Sequence, residues 1–528
     1  MNFSELPTVT IPQEFLAVVL AGFGNDLIPL TSDYGDEPCP KALLPVGNRP
    51  MISYTLAWLE ESGVKDVLLV CPTSHRPIIS HYIHSDLASG PFASLRIDIQ
   101  TYDQSQELSA GTCRIISHFA HRIHGDFIIL PCDFFPAPSL HLSKVLDKFR
   151  IDSVSDGAVM TSLWFEYKPP EKAKGIEDTW PATVTPVPII YDEKSGTLLH
   201  VDTPDDSDRN SEELEPRMGL IRKYPRTRMT ASLLDANVYV CKRSVLDVLA
   251  QKPQFDSFRE EFVPWLCKVH TQHTKREKYG GVLSSITNNN PASSQSLALQ
   301  HSTLHQIVKR TPIGRSFRAL ASEGYPSTNV SRASIPTEMT PTAPPSPTYE
   351  DDEVQEEESL RCGIVVHRLC DGYAARSNNI WSYLELNRAS LKDLPPTSHD
   401  PNLINPKTTI TDSLIGESTK IGERSVVKRS VIGRHCVIGK NVKISGSVLL
   451  DHCIIDDDVK VDGSLLGKNT HVNAKGELVL CIAPAGYEVE RGGVYKHEKL
   501  DASDWTAAPV SEESEEDDES EGDDTDDE

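Results

Sequence analysis

From residue 415 onward an aliphatic residue followed by a small one recurs on a fixed stride. Ile415-Gly, Ile421-Gly, Ile432-Gly and Ile438-Gly are separated by steps of 6, 11 and 6; Ile444 follows 6 later, and Ile455 and Val461 are again 6 apart. A six-residue stride places one inward aliphatic residue on each face of a coil, and the small residue after it lets the chain turn. One coil cannot bury its inner face alone, so neighbouring coils stack into a shared core. The spacing predicts a left-handed parallel β-helix of hexapeptide repeats over residues 405–498, rather than an up-and-down sheet.

The rest of the chain follows a different rhythm. "FLAVVLA" (15–21), "VKDVLLVC" (64–71) and "FIILPCDFF" (127–135) are apolar, β-rich runs, while 51–61 places apolar residues at 51, 52, 56 and 59. Strands alternating with helical spacing predict an α/β domain around a mainly parallel sheet. Residues 166–225 turn polar and read as a surface excursion with one hairpin, and "LLDANVYVCKRSVLDVL" (233–249) restores the pattern. Residues 271–359 are rich in Ser, Thr, Asn and Pro and predict a disordered insertion, apart from a short helix near 304–320. Thr340 and Ser346 precede prolines, a pair type too common to mark modification. A strand at 362–369 and a helix at 379–391 resume the first domain. It is expected to comprise 15–270 and 360–398, after an N-terminal extension of residues 1–14.

The net charge of −25 belongs mostly to two runs. The final 18 residues hold 13 acids and no base, and residues 350–358 hold seven more acids. Without them the balance is close to −5, ordinary for a folded protein. The acidic tail, 499–528, reads as self-repelling solvated chain or as a docking tail for a basic partner. Such acidic runs argue against direct nucleic-acid binding, which needs a basic footprint. No apolar run approaches the roughly 20 residues that span a bilayer, and the N-terminus lacks a signal-peptide pattern. The eleven cysteines form no C-x-x-C and no zinc spacing, which fits reduced thiols in the cytosol.

Ligands of such sheets bind beyond the carboxyl ends of the strands. Candidates there are Gly22 and Gly24, whose turn could bring backbone N–H groups to phosphates, Lys41 as a point charge, and Asp133 as a Mg²⁺-phosphate carboxylate. A tight strand-to-helix turn, a solvated lysine and a turn cap account for the same residues.

Together these segments resemble the sugar-nucleotide pyrophosphorylase family of nucleotidyltransferases. The shared text is "LAG", "LIPLT", "PKALLPVGNRPMI", the "GT" of "SAGTCRIISHF" and the strand-end Asp133. The departures are as telling. The entrance turn is one glycine short, Asp26 stands where the family has a triphosphate-stabilising arginine, and "EYKPPEKAKG" only loosely echoes the sugar-site lysine motif. An anion beside a polyphosphate repels where it should attract.

Within that superfamily the chain resembles the gamma-subunit family of translation initiation factor 2B, through "PKALLPVGNRPMISYTLAWLEESGVKDVLLV", "DANVYVCKRSVLDVL", "FREEFVPWLCK" and the repeats after 425. No globular sequence follows about residue 500, whereas the epsilon subunits add a catalytic helical-repeat domain. The resemblance implies a non-catalytic subunit of the guanine-nucleotide exchange factor for the GTPase initiation factor 2. It implies pairing with epsilon, and alpha, beta and delta subunits as further partners. It also implies no direct nucleic acid, no membrane, no catalytic or metal residues, and no cofactor beyond vestigial nucleotide binding at Gly22, Gly24, Lys41 and Asp133. Two other readings stay open. An active mannose-1-phosphate guanylyltransferase-like enzyme would have to work with Lys41 and Asp133 alone. A hexapeptide acyltransferase would use His435 or His452, which lie 17 residues apart.

Overall fold

The computed structural model describes residues 14–33, 38–87, 94–102, 111–155, 157–167, 187–203, 218–284, 360–392 and 403–500. The first domain is built on one ten-stranded sheet. Its strands, numbered along the chain, are β1 (Phe15–Leu20), β2 (Asp66–Pro72), β3 (Arg96–Tyr102), β4 (Asp126–Pro131), β5 (Met160–Glu166), β6 (Ile189–Asp192), β7 (Thr197–Val201), β8 (Thr227–Thr230), β9 (Leu233–Cys241) and β10 (Cys362–His367). The spatial order is β8-β6-β7-β10-β5-β9-β4-β1-β2-β3.

β3, β2, β1 and β4 run parallel, as strands with helical crossovers must. Beyond them β9 lies antiparallel to both β4 and β5, and the hairpin β6–β7 pairs antiparallel with β10 and β8. The sheet is therefore mixed rather than mainly parallel. Both faces are covered: Phe127 and Ile129 of β4 enter one apolar cluster, Ile128 and Leu130 the other.

Two further expectations change. The hairpin inside 166–225 is no surface excursion, because Ile189, Ile190, Leu198 and Leu199 are buried in the sheet. Ordered chain does not stop at 270, since His273–Ser284 is a helix. Leu283 is buried there and Ser244 Oγ donates to its carbonyl. Its polar composition hides it from periodicity: of its twelve residues only Tyr279, Val282 and Leu283 join the apolar cluster. The short helix expected near 304–320, Thr340, Ser346, residues 1–13 of the N-terminal extension and residues 501–528 of the acidic tail lie outside the described residues.

The second domain is a parallel β-helix whose coils repeat every 17 residues, so the 6, 6 and 5 of each coil explain the 6 and 11 steps. Three ladders result, and Val427, Ile444, Val461 and Leu478 stack inside one of them. One corner is a serine ladder. Ser430 Oγ donates to Lys428 O and accepts Ser447 N–H, and Ser447 and Ser464 repeat the pattern one coil on. Each corner also needs a left-handed residue, as at Ser418, His435, His452 and Asn469.

Candidate nucleotide site and the domain interface

The carboxyl ends of β1 and β4 bring together three of the four predicted residues. Gly24 has φ 84°, and a Cβ there would lie 2.9 Å from Lys41 Cβ, so glycine is required on two counts. Gly22 is exposed, with open space around it. Lys41 opens a short 3₁₀ turn behind Pro40 and reaches Asp133, Nζ to Oδ2, at 2.6 Å. Asp26 sits exposed on the turn Asn25–Leu27, while Leu27 anchors that turn in the core.

Asp133 already has a second cation. Arg376 donates through Nε to Oδ1 at 3.2 Å and through a terminal nitrogen to Oδ2 at 3.1 Å. It is brought there by a two-residue strand, Ala375–Arg376, antiparallel to Phe134–Phe135. Ser377 N–H also donates to Asp133 O, locking the pairing. Asp133 is 1% exposed. Burial alone pushes its carboxyl up, but Arg376 and Lys41 outweigh burial and hold it down at about 2. A divalent cation approaching this carboxylate would have to displace two hydrogen-bonded cations from a buried site. Nearby, buried Asp235 accepts the Tyr239 hydroxyl and the Asn237 N–H; burial raises its carboxyl, against the opposing pull of Arg259.

The "GT" of the resemblance opens the helix Thr112–His118, and its N–H groups are also engaged from within. Asp256 Oδ1 accepts Gly111 N–H and its carbonyl accepts Cys113 N–H, each at 2.8 Å. Thr112 Oγ1 accepts Phe258 N–H. A Cβ on Gly111 would meet Asp256 O at 2.4 Å, so the loop at 256–258 sits directly on this helix end. An open cleft lies at the opposite ends of the strands, between Asp66–Leu68, Arg96–Asp98 and Arg122. Its charges are paired with one another, Arg96 with Asp66 and Arg122 with Asp98.

The second half of the entrance motif does something else. "PVGNRP" is a two-residue hairpin with φ 54° at Gly47 and 61° at Asn48, as a type I′ turn requires. Its tip meets the second domain: Asn48 Nδ2 donates to Ile432 O, and Gly47 N–H donates to Asn387 Oδ1 on the helix Ile380–Ser390. Leu44, Val46 and Met51 join Tyr383 and Leu384 of that helix against Leu414, Val431, Val448, Leu465 and Ile482. Those five residues are the outward column of one β-helix ladder. Arg388 adds a hydrogen bond to Gly446 O. The helix begins with a capping box, Asn379 with Ser382.

Comparison with known proteins follows this division. Residues 16–172 match the nucleotidyl transferase family, and residues 402–490 match the family described as the EIF2B subunit epsilon LbH domain. The translation initiation factor eIF2B subunit gamma of Schizosaccharomyces pombe is 34% identical over 292 residues, 54% of this chain and 59% of that protein. That of Dictyostelium discoideum is 24% identical over 412 residues, 73% of this chain and 79% of that protein. The chain is related to the gamma and epsilon subunits of initiation factor eIF2B. The epsilon subunit of S. pombe is 23% identical over 282 residues, 51% of this chain but 38% of that protein. The matched segment thus spans less than two thirds of the first of these relatives.

The site residues missed by sequence reasoning are Arg376, Asp235 and Asp256. Arg376 lies 243 residues from its partner, across the long insertion, and nothing local marks it. His435 and His452 sit at one corner of successive coils. Their rings stack at 5.1 Å on an exposed edge, with no carboxylate bonded to either among the described residues.

Proposed function

We propose that this chain works as the non-catalytic gamma subunit of the guanine-nucleotide exchange factor for translation initiation factor 2, in the cytosol. The observation that carries the non-catalytic reading is the buried Asp133 carboxylate, already bound by Lys41 and Arg376. Two-metal and one-metal phosphoryl chemistry both need an available carboxylate, and here the strand-end one is neutralised from within. The match to gamma subunits of two organisms supports the exchange-factor reading. On this reading the chain pairs with the epsilon subunit, joins the alpha, beta and delta subunits, and helps present the substrate GTPase. Gly22, Gly24, Lys41 and Asp133 are then a vestigial nucleotide pocket, retained for the fold.

Affinity purification of the full chain from cells, followed by mass spectrometry, tests the assembly. Epsilon should be recovered in stoichiometric amount, with alpha, beta and delta; recovery without epsilon overturns the assignment. Incubation with sugar 1-phosphate, GTP or ATP and Mg²⁺ tests the site. No pyrophosphate should be released at enzymatic rates, and turnover would reinstate a pyrophosphorylase. No helix among the described residues is long and apolar enough to cross a membrane.

A further inference from the structure

The first complete coils of the β-helix carry an unusual charge. Residues 420–443 hold seven lysines and arginines against one acid, Glu423. All seven cations are exposed. Four gather on one ladder and its leading corner: Lys428 and Lys443 project from adjacent strands, since Val427 and Ile444 between them point into the core, and Arg424 and Lys440 occupy the corner just before. Lys420 and Arg429 flank them on the same coil. On the next strand, in register with Lys443, Lys460 is paired with Glu477 at 2.7 Å. Among the described residues no carboxylate pairs with the side chains of the first four. The first domain packs on a different ladder.

Unpaired like charges on adjacent strands repel and persist where something else compensates them. The same chain holds the complement. Residues 511–528 carry 13 acids and no base. The fold also delivers them nearby, because Leu500 N–H donates to Ile482 O in the last coil. Coils are separated by about 4.8 Å, so the basic strands lie roughly 15–20 Å along the axis from Leu500. The eleven residues to the start of the acidic run can span up to about 36–40 Å. A tether of that length raises the local concentration of the run to the order of millimolar.

We propose that the acidic segment 511–528 docks on the basic coils of its own β-helix, across Arg424, Lys428, Lys440 and Lys443. The contact is charge-to-charge and salt-sensitive. It shields the basic face from other polyanions, so an acidic protein or an RNA must displace the segment to reach that face.

A water-soluble carbodiimide, which joins carboxylates to amines in contact, tests this on the purified full chain. Mixing isotopically heavy and light copies separates links within one chain from links between copies. The expected result is links within one chain from 511–528 to Lys428, Lys440 and Lys443, lost in 1 M salt, where the screening length falls to about 3 Å. Acetylation of these lysines should be about threefold slower than in a full-length variant whose Asp and Glu at 511–528 are replaced by Asn and Gln. Exposed Lys65 should react alike in both. Links scattered evenly over surface lysines, links only between copies, or equal acetylation rates overturn the proposal. So does protection of the same lysines by single-stranded RNA with no effect of the tail.

Discussion

Asp133 decides how the nucleotide site is read, and a buried ion triad makes definite demands. Removing Arg376 leaves Asp133 with Lys41 alone and strips it of two charge-assisted hydrogen bonds in a dry site, which costs about 2–4 kcal/mol. Arg376→Met should therefore lower the unfolding free energy by about that amount in denaturant titration, while conserving side-chain bulk. The pH dependence follows from the carboxyl held at about 2. In the unfolded chain it takes up its proton near 4, so the unfolded state binds more protons between pH 4 and pH 2. The contribution is fully present above pH 4 and is lost as pH falls through 2. Asp133→Asn should flatten the stability profile across that window by about 2 kcal/mol relative to the parent. Asp26→Arg should not produce pyrophosphate release, because the turn stays one glycine short and Asp133 stays paired. Lys41 and Asp133 were legible as chemistry-bearing types in the right loops. That they neutralise each other was not, since charge attraction across 92 residues depends on where the folded strands end.

The element that most changes its meaning is the hairpin Pro45–Pro50. In the sequence it belongs to a nucleotide entrance; in the structure its tip joins the two domains. A Cβ on Gly47 would stand 3.1 Å from Ser390 Oγ, a tight contact to which Ser390 would have to yield, and its φ of 54° strains any side chain. Gly47→Val should cost about 1–3 kcal/mol, more than Asn48→Ala, which loses one partly buried hydrogen bond worth about 1 kcal/mol. Thermal unfolding of the two variants ranks them. The β-helix shows the opposite relation of sequence to structure. Its stride was readable because each coil repeats the same local geometry, whereas the helix His273–Ser284 was missed because its residues show no apolar face. The stacked His435 and His452 are a product of that stride, placed one above the other by the 17-residue repeat. Replacing either with alanine should lower stability by about 0.5–1 kcal/mol, because each holds a left-handed corner and the rings stack on one another.

At the scale of the whole chain, one apolar cluster fastens the β-helix to the α/β domain. It draws on the entrance loop, the helix Ile380–Ser390 and one outward column of the β-helix. Val448 is 2% exposed at its centre. Val448→Asp buries a charge with no partner there, at a cost of several kcal/mol. Calorimetry of the full chain should then show two separated transitions where the parent shows one coupled transition; an unchanged single transition would mean that the domains do not stabilise each other.

The sequence alone determined the two architectures, because a hexapeptide stride and alternating strand–helix periods each follow from one local backbone geometry. It also located the loop residues from which any phosphate chemistry would have to come. Only the tertiary structure decided that Arg376 and Lys41 close on Asp133, that Asp256 covers the helix at Gly111, and that the entrance hairpin is a domain joint. Those are pairings between residues far apart in the chain. Their energies depend on burial and on distances of a few ångströms, which packing sets and local pattern does not.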